Sequence, residues 1–451
     1  MLATIITRLV GWAVALFHEV ERTGPGLASG PVLVTANHPN ALVDPVVIFR
    51  TAGRVTRPLA KAPLFEQVLV GTVLKGLGGL PVYRRQDDPA LMHLNDRTFD
   101  AAIDALHAGG AVQIYPEGQS HSEPSMTPLR TGAARIALLT EARSDWGVGL
   151  RVQPVGLTYR RKHLFRSRVI AAYGEPIDVL PFRATYERDE WEAVGALTRL
   201  IRERLEELTL NFDRAEDSEL VDVAERTWAR AKGLAGARER DKMVDRLPRL
   251  QRFAEGLRQL RDSDPERLER LREMVARYLR LVTLYGVTEG DVPESYRLGK
   301  VLGYVARQSV MLALVLPVAV VGAVYWAIPF LVTRRIAFGF KPDLDQIATY
   351  KAGVGAVSFP VWLSGTVAVV WLFAGTTTAL IVGLAAPIAG LAAVAWKERE
   401  SAVREDVRVF VRSWRRSQSE DRLAEQRAEL VAEIDAIVRD TEPTRDPDPG
   451  S

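Results

Sequence analysis

The sequence contains no cysteine, which excludes disulfides, a thiol nucleophile and any metal site built on thiolates. Its 6 histidines include no His-Glu-x-x-His pattern, so no metal site is expected. Charge of either sign is nearly absent as an excess. The 59 Lys and Arg residues against 56 Asp and Glu leave a net +3. That balance makes no case for nucleic acid, although Arg-rich segments suit anionic lipid or phosphate. There is no internal repeat. Two stretches, residues 309–333 and 352–396, carry no charged residue at all.

What is present divides by composition. The 451 residues leave room for at least two cores. Residues 1–20 form an apolar run with a single basic residue, Arg8, up to Phe17, and predict an amphipathic or membrane-surface helix rather than a cleaved signal peptide. Residues 21–186 alternate short apolar strands with helical patterns, the mark of an α/β domain. Strands are expected at 31–35, 80–83, 111–115, 151–159 and 169–173. Helices are expected from Asp44, from Lys61 towards Lys75, over Asn95–His107 and up to Glu141. Residues 187–300 are rich in Arg, Glu, Leu and Ala and predict a charged α-helical domain, with a further charged helix over 397–440. The apolar blocks within 301–396 are long enough for two or three transmembrane helices, the second block turning near Gly375. Arg and Lys flank both blocks, so the positive-inside rule does not choose a topology. Residues 441–451 have the composition of a disordered tail.

The chain turns on Pro31 to Asp44, Pro-Val-Leu-Val-Thr-Ala-Asn-His-Pro-Asn-Ala-Leu-Val-Asp. A buried strand there delivers His38 and then Asp44 to the loop that follows. A histidine with a carboxylate to fix its tautomer is the minimal general-base pair. Three more short stretches stand at the ends of expected strands. They are Gly79-Leu-Pro-Val-Tyr-Arg84, Tyr115-Pro-Glu-Gly-Gln-Ser-His121 and Val152-Gln-Pro-Val-Gly156.

Together, in this order and spacing, the four stretches resemble the motifs of the glycerolipid acyltransferase family, the PlsC type, over roughly Pro31 to Ile177. The resemblance implies a central mixed sheet flanked by helices, followed here by the charged helical region and the C-terminal transmembrane helices. One feature departs from the usual pattern, since five residues, Pro39 to Val43, separate His38 from Asp44 where four are usual. The form Asn-His-Pro-Asn-Ala-Leu-Val-Asp-Pro is similar to the branch that acylates glycerol-3-phosphate or dihydroxyacetone phosphate. Pro128-Leu-Arg-Thr-Gly132 and His163-Leu-Phe-Arg-Ser-Arg168 suit the same branch.

The resemblance implies a membrane-bound O-acyltransferase of phospholipid biosynthesis. It would move a fatty acyl group from acyl-coenzyme A or acyl-carrier protein to a glycerol phosphate, with no further cofactor. His38 would be the base and Asp44 its orienting partner. Arg84 is the first candidate to clamp the acceptor phosphate, with Arg85 and Arg130 behind it. Glu117 would accept from the acceptor hydroxyl or hold an arginine, and Gly118 would let backbone approach the ligand. Ser120 and His121 lack the second glycine of a nucleophile elbow and are read as loop-shaping. His163, Arg166 and Arg168 suit either the phosphate or coenzyme A side of the site or an exposed basic turn. Two rivals stand beside this reading: an enzyme acylating lysophosphatidate, and a non-catalytic, membrane-anchored lipid-binding or scaffold protein. The expected location is the cell membrane, with the catalytic domain facing the cytoplasm. The oligomeric state is left open.

Overall fold

A computed structural model describes residues 11–12, 14–83, 93–162, 164, 166–234, 242–284, 298–339, 347–414 and 418–441. The first ten residues, Arg84, Arg85, His163 and residues 442–451 therefore lie outside the described residues. The chain divides into two compact units. One comprises residues 1–211 with 331–358, the other 212–330 with 359–451.

The first unit is built on a sheet of eight strands: β1 (His18–Thr23), β2 (Val32–Ala36), β3 (Thr56–Lys61), β4 (Leu80–Val82), β5 (Ala111–Ile114), β6 (Arg151–Tyr159), β7 (Ser167–Tyr173) and β8 (Ile177–Asp178). Their spatial order is β1-β7-β6-β2-β5-β3-β4, with β8 beside β6. All pairings are parallel except β6 with β7 and β6 with β8, so the sheet is mixed. The helices between the strands are α1 (Val43–Thr51), α2 (Val68–Gly76), α3 (Asn95–His107), α4 (Gly132–Ala142), α5 (Arg183–Arg188) and α6 (Glu190–Leu208).

Strand β2 lies at the centre, between β5 and β6, and every one of its residues is buried. Its side chains alternate between two cores, as the period of a strand dictates. Leu33 joins Val112, Val152 and the apolar faces of α3, α4 and α6. Val32 and Val34 join Val43, Val46, Val47 and Ile48 of α1 on the other face. The α6 stripe, Val194, Leu197, Ile201 and Leu205, is buried in the first of these cores. Burial contributes about 1.5–3 kcal/mol for each such side chain. The Asp189 carboxylate caps α6 by accepting the Glu192 N–H at 3.1 Å. Thus α6, expected with the charged helices, is a layer of the α/β unit.

Three strands lie where none was expected, the shortest being the two-residue β8. Strand β3 occupies Thr56–Lys61, and only a 3-10 turn at Ala62–Phe65 precedes α2, so the helix expected from Lys61 starts later. Pro58 obscures this strand in the sequence, because proline inside an apolar run argues against a central strand. Strand β1, which overlaps the last three residues of the expected N-terminal helix, is charged (His-Glu-Val-Glu-Arg-Thr). It is an edge strand paired only with β7, where charged side chains are at home. Its Glu19 accepts ion pairs from Arg166 at 3.1 Å and Arg168 at 2.7 Å. These arginines tie the sheet edge together.

The second unit holds α7 (Ala215–Ala231), α8 (Met243–Ser263), α9 (Pro265–Leu284) and α12 (Gln418–Thr441), together with most of α10 (Leu298–Gly339) and α11 (Ile347–Trp414). Helices α7, α8, α9 and α12 pack on one another. Residues 306–339 and 349–401 are long and apolar enough to cross a membrane, and only 11% of each apolar window is buried. That exposure is wrong for the core of a soluble domain and fits membrane association. Gly375 (φ 81°, ψ 174°) breaks α11, at the turn expected from the sequence.

Candidate active site

Strands β5, β2 and β6 are adjacent and parallel, so their carboxyl ends open on one edge of the sheet. An open parallel sheet binds ligands at that edge. The loops that leave it carry Asn37 to Asp44, Tyr115 to His121 and Tyr159 to Lys162, and hydrogen bonds lock them together.

His38 Nδ1 lies 2.8 Å from Asp44 Oδ2. An ionised carboxylate only accepts, so Nδ1 carries the proton and Nε2 presents its lone pair. The imidazole stacks on the Tyr115 ring, centroids 4.1 Å apart and planes 19° apart. Its side chain remains 18% exposed, whereas that of Asp44 is fully buried. The imidazole is therefore reachable and the carboxylate is sealed.

Asp44 stands in the first turn of α1. Its Oδ2 also accepts the Asn40 N–H at 2.7 Å, and its Oδ1 accepts the Tyr159 hydroxyl at 2.6 Å. The Asn40 bond explains how five intervening residues still bring His38 to Asp44. The loop folds into a tight turn, with Val43 N–H donating to the Asn40 carbonyl at 3.0 Å and Ala41 forced to φ 38°. A left-handed non-glycine residue costs about 1–2 kcal/mol. Burial and the charge of Asp44 push the Tyr159 hydroxyl well above its ordinary range, which keeps it a donor.

Glu117 is buried, and its oxygens are occupied by protein. Oε1 accepts the His38 N–H at 2.9 Å. Oε2 accepts the Thr127 N–H at 2.8 Å and pairs with His121 Nε2. Burial would raise the Glu117 pKa, but these donors outweigh it and lower it; in turn the Glu117 carboxylate raises that of His121 against burial and Lys162. Glu117 thus holds the His38 and Thr127 amides and the His121 ring, and among the described residues no arginine pairs with it.

Gly118 has φ 77°, and a Cβ there would meet Arg130 Nε at 2.6 Å. The positive φ favours glycine, and a larger residue would also displace the Arg130 side chain that crosses it. Arg130 is exposed and, among the described residues, has no carboxylate partner. Lys162 Nζ spans two of the loops, donating to the Pro39 carbonyl at 2.7 Å and to Ser122 Oγ at 2.8 Å. Asn37, beside His38, is tied to the Leu157 backbone by bonds of 3.0 and 2.7 Å.

The structure therefore brings together His38, Asp44, Glu117, Gly118 and Arg130. Arg84 and Arg85 follow β4 but lie outside the described residues. Sequence reasoning missed Tyr115, Thr127, Tyr159 and Lys162. A tyrosine or lysine at a strand end carries no local pattern that separates it from ordinary surface or core residues.

Comparison with known proteins bears on what such a site does. A family model described as Acyltransferase matches residues 17–158. The chain is 36% identical over 135 residues to glycerol-3-phosphate O-acyltransferase 2 of Saccharomyces cerevisiae, covering 30% of this chain and 18% of that protein. It is 25% identical over 290 residues to glycerol-3-phosphate O-acyltransferase 1 of the same yeast, covering 62% of this chain and 34% of the other. The matches thus span from under a fifth to about a third of these relatives' own lengths. A crystal structure of the 1-acyl-sn-glycerophosphate acyltransferase PlsC from Thermotoga maritima overlaps 46% of this chain and 79% of its own. That overlap has 20% identity and a TM-score of 0.33, too low to carry an argument. Residues 17–158 thus match an acyltransferase domain, and over part of their length they are similar to glycerol-3-phosphate O-acyltransferases.

Proposed function

We propose that the protein is a membrane-bound O-acyltransferase of phospholipid biosynthesis, transferring a fatty acyl group from a thioester to a hydroxyl of glycerol-3-phosphate or dihydroxyacetone phosphate. The observation that carries this reading is the 2.8 Å contact from His38 Nδ1 to the sealed Asp44. His38 Nε2 removes the proton of the acceptor hydroxyl as its oxygen attacks the thioester carbonyl. The tetrahedral intermediate collapses, the carbon–sulfur bond breaks, and the departing thiolate takes the proton from the imidazolium. Asp44 stabilises the imidazolium between these steps. The donor is acyl-coenzyme A or acyl-carrier protein, and the chemistry needs no other cofactor. Arg130 is a described cation available to the acceptor phosphate, with Arg84 and Arg85 assigned to the same task from the sequence. The names of the two yeast relatives favour glycerol-3-phosphate over lysophosphatidate as acceptor.

The test is acyl transfer by the detergent-solubilised protein. Labelled acyl-coenzyme A is offered with glycerol-3-phosphate, dihydroxyacetone phosphate or lysophosphatidate, each with wild type and His38→Ala. Transfer to the first two, lost in the variant, supports both acceptor and base. Transfer to lysophosphatidate alone overturns the acceptor. No transfer from either acyl-coenzyme A or acyl-carrier protein favours a lipid-binding scaffold.

The same reading places the catalytic domain in the cytoplasm, where acyl thioesters and glycerol phosphate are available. Contacts within the second unit support an even number of membrane crossings. Trp228 and Lys232 of α7 bond Asp435 of α12 at 2.6 and 2.7 Å, and Arg267 of α9 bonds Glu433 at 2.7 Å. The chain leaves this charged bundle after α9 and rejoins it in α12, so both ends of the apolar region share one face of the membrane. Three spans, over 309–333, 352–374 and 376–396, are incompatible with that return. The absence of cysteine makes the check direct. Glu269→Cys and Glu425→Cys should react with an impermeant maleimide from the same side of sealed vesicles. Labelling from opposite sides overturns the assignment.

A further inference from the structure

We propose that Tyr159 is a positioning residue for acyl transfer, setting the carboxylate plane of Asp44 so that His38 works as a base. The inference rests on the function proposed above and adds a residue that none of the four sequence motifs assigns a role.

Asp44 is fully buried with its charge, so both of its oxygens must meet donors. His38 Nδ1 and the Asn40 N–H both approach Oδ2, at 2.8 and 2.7 Å. These two bonds fix one oxygen and leave the carboxylate free to turn about it. The Tyr159 hydroxyl at 2.6 Å from Oδ1 removes that freedom. The phenol is itself held. It ends β6, the neighbour of β2, and its ring meets the buried His18 ring edge-on, centroids 5.4 Å apart. His18 Nδ1 is fixed at 3.1 Å from the Ser167 carbonyl of β7. Three neighbouring strands thus support one carboxylate. A more local donor could not do this, because residues on α1 would move with Asp44.

Tyr159 acts through charge as well as through geometry. Its hydrogen bond draws negative charge away from Oδ2 and lessens the field that holds a proton on His38. Replacing tyrosine by phenylalanine keeps the ring and deletes the donor. Asp44 then keeps more charge on Oδ2, and a larger share of His38 stays protonated at a given pH.

The experiment compares wild type, Tyr159→Phe, Asp44→Asn and the double variant, using the acceptor that wild type accepts. In Tyr159→Phe, kcat is expected to fall about tenfold, the size of one lost hydrogen bond to a charged group, with KM changed less than about twofold. The acidic limb of its pH–rate profile should move to higher pH. In the Asp44→Asn background the Tyr159→Phe change should have little further effect, since both act on one interaction. A uniform loss of rate with an unmoved acidic limb overturns the proposal, and so do additive effects in the double variant. If Tyr159→Phe lowers the yield of folded protein, 3-fluorotyrosine at 159 provides the test. It has nearly the same shape but a more acidic hydroxyl, and should move the acidic limb to lower pH; an unmoved limb again counts against the proposal. Wild type inactive on every acceptor, or His38→Ala still active, would instead overturn the underlying function.

Discussion

Both units of the molecule bury carboxylates, and they partner them in opposite ways. In the helical unit, Glu225 accepts from Arg246 at 2.6 Å and from Arg249 at 2.8 Å. Asp217 likewise accepts from Arg261 at 2.5 Å and Arg272 at 2.9 Å. Each of these carboxylates is neutralised by permanent cations, and the result is structural. In the α/β unit, Asp44 has no lysine or arginine partner among the described residues. Its donors are an imidazole, a phenol and a backbone amide. A carboxylate left with its charge can stabilise a proton that arrives on its neighbour, whereas one held by two guanidiniums has no such capacity to offer. The difference separates a site from a scaffold more sharply than burial does.

The comparison is broken most directly at His38. His38→Ala should reduce acyl transfer by roughly a thousandfold, and because it removes one donor from the buried Asp44 it should lower the stability of the α/β unit by about 1–3 kcal/mol, as read by initial rates and by thermal denaturation. Equal stability with undiminished transfer would remove the base from the mechanism. The converse change lies in the helical unit. Arg246→Met strips one cation from Glu225 and should cost about 3 kcal/mol of stability, measured by chemical denaturation in detergent. Transfer per folded molecule should stay within about twofold of wild type, since a structural charge pair enters no catalytic step.

Between these extremes stands the Glu117–His121 pair, whose partner cation titrates. His121 is raised from 6.5, first by the Glu117 hydrogen bond, so its contribution is complete below 6.5 and is lost as pH rises through the raised value. Glu117 is lowered from 4.5, so its contribution is present above 4.5 and is lost as pH falls through the lowered value. Comparing melting temperatures of wild type and His121→Gln should therefore give the largest gap near pH 5 to 6, narrowing on the alkaline side. A gap independent of pH would mean that the pair is held by packing alone. The smallest effect is expected at Ala41, held at φ 38°. Ala41→Gly should leave stability within about 1 kcal/mol and retain activity, while Ala41→Val should lose roughly 1–2 kcal/mol.

Much of the α/β unit was legible because its strands are short apolar runs, buried on both faces, and its motifs stand at their ends. Val32 to Ala36 and Ala111 to Ile114 are examples. Strands β1 and β3 were not legible, for identifiable reasons. The edge position of β1 tolerates charge, and Pro58 masks β3. At the site, His38 and Asp44 were legible because their spacing lies within one loop. The partners of Glu117 were not, since Thr127 and the His38 amide reach it from separate segments.

The sequence by itself determined that an acyltransferase domain begins near the N-terminus, that a histidine and an aspartate share its first loop, and that two charge-free blocks follow. Each depends on residues close in the chain, where type and spacing carry the information. Tertiary structure decided which donors Asp44 receives, that Glu117 ties loops instead of gripping an arginine, and that the apolar region returns to the bundle it left. Tyr159 lies 115 residues from Asp44 in the chain. No local propensity selects a pairing at that distance. It exists because β6 and β2 lie side by side with their carboxyl ends on one edge, and that adjacency follows from cooperative burial of the whole sheet between its helices.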